Sequence, residues 1–129
     1  MKLKEFSKKF DVRFTDLNAG NHLSNHMVLG YITDYLSEFL MKNNCSYTDV
    51  YGQRVLFSRM DIELKREVFQ FDCVVIRVDR SEIKSRKLAL HFIAEVNNKV
   101  VAKSTHHLNF LKDNKVVSIS DELATLFAF

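Results

Sequence analysis

An α+β fold is predicted by two hydrophobic periods and the polar break between them. Over residues 27–40, Met27, Val28, Leu29, Tyr31, Ile32, Tyr35, Leu36, Phe39 and Leu40 form a wide apolar face at helical spacing. Most of the remaining chain alternates apolar and polar residues with a period of two, as half-buried strands do. The break, Thr15 to His26, is polar and contains Gly20. One long apolar helix needs a sheet to pack on, and five antiparallel strands provide it.

The first strand is read over residues 5–14, where Phe6, Phe10, Val12 and Phe14 share a face with Lys8 as the exception. The helix follows the polar break, with Ser24 or Asn25 as its N-cap, and runs to about Lys42. Asn43 and Asn44 end it, since Asn tolerates left-handed backbone. Residues 45–52 are a connector, and Gly52 turns the chain into a second strand from Arg54 to Arg66. There Leu56, Met60, Ile62 and Leu64 are expected on one side, with Arg59, Asp61, Glu63 and Lys65 on the other. A third strand, Asp72 to about Arg80, sets Val74, Ile76 and Val78 against Val75, Arg77 and Asp79. A fourth, Leu88 to Val96, aligns Leu88, Leu90, Phe92, Ala94 and Val96. Asn97-Asn98 fits a two-residue hairpin turn. The last long strand, Lys99 to Lys112, places Val100, Ala102, Ser104, His106, Leu108 and Phe110 on one face, and Lys103, Thr105, His107 and Asn109 on the other. Asp113-Asn114 is a further turn, and Ser120-Asp121-Glu122 caps a short C-terminal helix. Because one helix covers one sheet face, Ile93, Val75 and Val101 are expected to leave an apolar outer patch that finds a partner.

A length of 129 residues argues for one domain over 1–129, and 47% apolar residues supply a core. The net charge of +3 is too mild to argue for nucleic acid, but it suits an anionic small molecule or an acidic carrier protein. No apolar run approaches the ~20 residues of a membrane span, and the Met-Lys-Leu-Lys start has no signal core. Cys45 and Cys73 lack metal or redox spacing. They read as reduced thiols of a cytoplasmic protein.

Chemistry concentrates in the break. Asp16, Asn18, Asn21, His22, Ser24, Asn25 and His26 fall within eleven positions just before the helix. Such residues are also ordinary loop and cap chemistry. The unpaired amides and dipole of the helix N-terminus point at whatever this loop holds. That suits a carbonyl oxygen gaining negative charge during reaction.

The order Arg13-Phe14-Thr15-Asp16-Leu17-Asn18-Ala19-Gly20-Asn21-His22-Leu23-Ser24-Asn25, followed by Leu29-Gly30-Tyr31-Ile32-Thr33-Asp34, resembles the signature of hotdog-fold thioesterases. That family includes 4-hydroxybenzoyl-CoA and plant acyl-ACP thioesterases. Their pattern is roughly Asp-x-Asp-x-x-x-His-Val-Asn-Asn before an apolar helix with a carboxylate. Asp61-Ile62-Glu63-Leu64, Phe71-Asp72, Val101-Ala102-Lys103 and Phe110-Leu111 match its later strands. The resemblance implies a hotdog fold, with an antiparallel five-stranded sheet wrapped around one long central helix. It also implies homodimers with the site at the interface, and a homotetramer by sheet packing is compatible.

One position departs from the pattern. Where the family carries its second Asp this chain has Asn18, and a neutral amide can neither take a proton at pH 7 nor attack as a carboxylate. Asn18 would instead orient water or the thioester, while the backbone of Asn25 or His26 holds the carbonyl oxygen. Two residues stand for the base. Asp34 matches the helix carboxylate, but is equally a solvated side chain. His22 is basic near neutral pH, but its ring also suits anchoring of the loop. Asp16, with Gly20 and Ser24, belongs to the substrate loop, and its carboxylate is read as holding loop amides in an Asx turn.

The segment Arg77–Lys87 is rich in cations. Arg80, Lys84 and Arg86 read either as a solvated hairpin tip or as a site for coenzyme A phosphate or an acidic carrier. His106 on an apolar face reads as a satisfied core histidine. No histidine groups with a metal set, so neither metal nor organic cofactor is expected, coenzyme A entering only as part of the substrate. The leading function is hydrolysis of an acyl-CoA or acyl-carrier thioester. The alternative is a non-catalytic acyl-CoA or lipid-binding module that has lost its carboxylate at Asn18. A hydratase would need a different Asp and His arrangement.

Overall fold

The computed structural model describes residues 1–129. A 3-10 turn at Leu3–Glu5 leads into β1 (Ser7–Asp11), and a second at Phe14–Asp16 precedes the loop to α1 (Asn25–Lys42). Then come β2 (Arg54–Leu64), β3 (Cys73–Lys84), β4 (Lys87–Val96), β5 (Lys99–Lys112), β6 (Lys115–Val117) and α2 (Asp121–Leu126). The sheet order is β1-β3-β4-β5-β2, all antiparallel, and β6 pairs with β5.

The 3.6-residue period of α1 buries Val28, Tyr31, Ile32, Tyr35, Leu36, Phe39 and Leu40. Opposite them lie the inward residues of the sheet, among them Val74, Ile76, Val78, Leu88, Leu90, Phe92 and Leu108. The Tyr35 ring meets Phe92 edge-on at 5.5 Å, and its hydroxyl donates to the Phe6 carbonyl at 2.9 Å. So even the polar tip of this buried helix residue is satisfied. The α2 end closes the core, with Phe127 against Phe39 at 6.0 Å and Phe110 at 5.8 Å. Both predicted two-residue turns form: Asn97 and Asn98 have φ of 51° and 64°, and Asp113 and Asn114 have 52° and 60°. Two successive positive φ values match the right-handed twist of the flanking strands.

The structure corrects several expectations. The sheet has six strands rather than five, because Lys115–Val117 pairs with β5 beyond the end of β4. Three residues are too few for alternation to be read. The first strand is shorter than 5–14, and Phe14 is 69% exposed because the chain leaves the sheet and coils at Arg13. A bulge between Phe57 and Arg59 shifts the register of β2. Leu56 therefore pairs with outward Asn109, while Met60, Ile62 and Leu64 pair with inward His106, Ser104 and Ala102. β3 continues to Lys84 and leaves a hairpin turn of only Ser85 and Arg86.

Of the three residues expected to form an apolar outer patch, Val75 is half-buried and the other two are buried. Ile93 is buried between its register neighbours Arg77 and Lys103, whose long stems flank it. Val101 sits at the register shift between β4 and β5 and joins the core.

His106 is in the core but is not satisfied. It is fully buried between the rings of Phe57 (5.9 Å) and Phe92 (5.2 Å), and neither ring nitrogen has a partner. Burial, with a smaller contribution from His107, lowers its pKa to about 4. The folded state thus disfavours the proton that the unfolded chain accepts near 6.5. Its neutral form stabilises the fold fully above pH 6.5, and that contribution is lost as pH falls from 6.5 toward 4. The loss amounts to about 3 kcal/mol. Urea unfolding of wild type and His106→Leu at pH 7.0 and 4.5 checks this, and the variant is expected to lose this part of the acid sensitivity.

Candidate functional site

The loop from Leu17 to Ser24 is shaped by its own polar groups. Asn18 Oδ1 accepts the Gly20 N–H at 2.8 Å, and the Asn18 and His22 backbones pair at 2.9 Å. A bridge between Leu17 and Leu23 closes the loop, and Asn21 takes φ 63°. A Cβ added at Gly20 would come 2.9 Å from His22 Nε2, so the imidazole lies on bare backbone.

This geometry orients the amide of Asn18. With Oδ1 on the Gly20 N–H, Nδ2 faces His22 Nδ1 at 3.4 Å. An amide nitrogen can only donate, so Nδ1 is the acceptor and the ring proton belongs on Nε2. A carboxylate at position 18 would impose the opposite tautomer. In the neutral ring this contact leaves the Nε2–H free to donate.

Asp16 is structural and holds a backbone amide, but the amide is that of Arg13 before it rather than one in the loop after it. It accepts from the Arg13 backbone at 3.1 Å, from Arg13 Nη2 at 3.0 Å and from the Tyr31 hydroxyl at 2.8 Å. Its carboxylate is 2% exposed, under a thin layer of atoms, and binds no amide of the loop that follows. Its backbone carbonyl also accepts the Ser24 N–H at 3.1 Å. Burial works to raise the Asp16 pKa, but the hydrogen bonds from Arg13 and Tyr31 outweigh it and hold the group below the usual carboxylate range. Burial and the bond to Asp16 push the Tyr31 hydroxyl up. Asp16 thus fastens the loop to the first turns of α1.

Ser24 is the N-cap residue, buried, and makes no side-chain capping bond. The amides of Asn25 and His26 have no partner. They open α1 beside a cavity of about 230 Å³ lined by His22, Leu23, Asn25, Val28, Leu64, Lys65, Arg66, Glu67, Val68, Val101 and Ala102. His22 and Asn25 thus meet where an apolar lining adjoins free amides. Asp34 does not join them. It lies in the groove between β1 and α1 with Arg13, Tyr31 and Gly30, apart from the His22 cavity. Arg80, Lys84 and Arg86 are exposed on the β3–β4 hairpin, and Arg80 pairs with Glu82 at 3.2 Å. Sequence reasoning missed Lys65 and Arg66 at the cavity rim, although the charged run after β2 was visible. It also missed Tyr31, which read only as part of the apolar helix face.

Compared by sequence, the chain matches no family and no curated protein. Its fold is nonetheless the hotdog fold of solved thioesterases. A gentisyl-coenzyme A thioesterase matches with TM-score 0.83 at 17% identity, over 95% of this chain and 100% of that one. A 1,4-dihydroxy-2-naphthoyl-CoA thioesterase from Synechocystis matches with TM-score 0.81 at 11% identity, over 94% and 93%. A thioesterase from Thermus thermophilus, complexed with coenzyme A and Zn, matches with TM-score 0.74 at 19% identity, over 94% and 90%.

The clamp on Asp16 is directly testable. Tyr31→Phe removes one donor to a buried carboxylate and is expected to destabilise the protein by about 1–2 kcal/mol in urea unfolding at pH 7. An unchanged midpoint would show that Asp16 holds the loop without the helix.

Proposed function

We propose that the chain is a thioester hydrolase acting on an acyl-CoA or acyl-carrier thioester. The observation that carries this is the cavity lined by His22, Asn25 and six apolar side chains at the N-terminus of α1, whose first two amides, of Asn25 and His26, have no partner. Two of the three solved relatives described above are thioesterases named for CoA thioesters, and the third is complexed with coenzyme A, which supports the same reading.

In this mechanism the acyl group lies against Leu23, Val28, Val68 and Ala102, with the thioester carbonyl at the α1 amides. Negative charge growing on that oxygen during water attack is met by fixed N–H donors and the helix dipole. His22 carries its proton on Nε2 when neutral, and only as imidazolium, after Nδ1 has gained a second proton, does it give the Nε2 proton to the departing sulfur. Water must lose a proton as it attacks, and Asn18 cannot take it. His22 takes it on Nδ1 once that atom is released from the Asn18 amide, and so becomes the imidazolium that protonates the sulfur; or Asp34 takes it, and the sulfur leaves as thiolate. Since Asp34 sits in a separate groove, it would serve a cavity only across an interface between copies.

A homodimer is part of the proposal. β2 is a terminal strand of the sheet, and Leu56, Met60 and Leu64 on it are exposed. An unpaired apolar edge of this kind is a template for a second copy. Leu64 lines the cavity, so pairing along β2 would complete the site. A tetramer through the sheet face draws little support from the expected patch, since Ile93 and Val101 are buried and Val75 is half-buried.

Release of free thiol from short, long and aromatic acyl-CoAs tests the reading. Hydrolysis above background is expected for at least one member, and His22→Ala is expected to lower kcat/KM roughly 10²–10⁴-fold. Asp34→Ala decides whether that carboxylate is the base. The binding-module alternative rests on Asn18. It gains if the wild type is silent on every thioester while Asn18→Asp hydrolyses one.

A further inference from the structure

The outer face of the sheet holds a second concavity. Ala89 on β4 is flanked across the sheet by Glu82 on β3 and His107 on β5. Lys87 and His91 neighbour it on the same face of β4, and Lys84 pairs with Lys87. These six residues enclose about 230 Å³, with the smallest side chain at the floor.

The charges around this cup do not cancel. Lys84, Lys87 and the adjacent Arg86 make no ion pair. Glu82 is the cup's one carboxylate and is already engaged by His91 at 2.7 Å and Arg80 at 3.2 Å. His107 Nδ1 is shut off from solvent and has no partner. That atom has no accessible surface and takes no part in binding, whereas Nε2 of the same ring is not occluded and has no partner within the protein. Free ammonium groups above a concave floor with an unsatisfied ring nitrogen suit a compact dianion.

We propose that this cup is a phosphate site: it takes a phosphate monoester, with Lys84 and Lys87 neutralising it and His107 bonding one of its oxygens. Ala89 faces outward whereas Ala102 of the α1 cavity faces inward, so the two sites lie on opposite faces of the sheet in one chain. The monoester comes from one of two sources, a free nucleotide or the 3′-phosphate of a coenzyme A thioester. The second source rests on the thioesterase reading and the first does not.

Calorimetric titration with adenosine 3′,5′-bisphosphate and with inorganic phosphate tests the site without any turnover. Saturable binding is expected for wild type, weakened about tenfold or more by Lys84→Ala/Lys87→Ala and by His107→Leu. It should be unchanged in Lys2→Ala/Lys4→Ala, which removes the same charge elsewhere. Absence of saturable binding at millimolar phosphate overturns the proposal. So does an equal loss in the control variant. In parallel, KM for an acyl-CoA and its dephospho-CoA analogue separates the sources. A KM that rises without the 3′-phosphate in wild type, but not in Lys84→Ala/Lys87→Ala, assigns the site to the substrate. A KM indifferent to it, with binding intact, assigns the site to a free monoester. If no thioester is hydrolysed, the calorimetry still decides.

Discussion

The structure depends on burying one 18-residue helix against a sheet wider than the helix. A helix with side chains is about 10–12 Å across, whereas five strands span roughly 19–24 Å. Curling the sheet around α1 covers β3, β4 and β5 well. The mismatch falls on the terminal strand β2, whose inward Met60 and Leu64 stay exposed. The open edge and the half-open cavity beside Leu64 are two results of one shortage of cover.

The polar half of the site is built on a second constraint. A helix that is apolar round most of its surface cannot fix the loop at its N-terminus by packing alone. Asp16 does so by accepting from Arg13 on one side and from Tyr31 of α1 on the other. That connection holds Ser24 as the N-cap residue and leaves the amides of Asn25 and His26 free. Asn18 then commits its oxygen to Gly20 and its nitrogen to His22. An amide rather than a carboxylate at this position lets one side chain hold the Gly20 N–H and donate to the imidazole.

Polar groups left over by the core mark places under tension. His106 lies under the helix among aromatic rings, where its strand alternation requires a side chain and no donor or acceptor is within reach. Its neighbour His107 points the other way, into the cup at Ala89. Adjacent residues on one strand thus meet opposite environments because side chains alternate across a sheet.

The sequence alone determined the helix, with its N-cap narrowed to Ser24 or Asn25 and its end near Lys42, the existence of the long strands and the two Asn or Asp turns, because each is written in a local period or a local φ preference. Strand β6 and the bulge in β2 escaped it, since three residues carry no period and an inserted residue reverses the face of everything beyond it. The motif from Asp16 to Asn25 was legible as a group, whereas the division of labour within it was not. Asp16 is structural in a way that required Tyr31, fifteen residues away, to arrive beside it. Asp34 and His22 are twelve positions apart in one motif, yet the turn of the helix delivers them to different cavities. Only the tertiary structure decides such matters, because which face of α1 meets the sheet is fixed by the whole core rather than by any one residue's spacing.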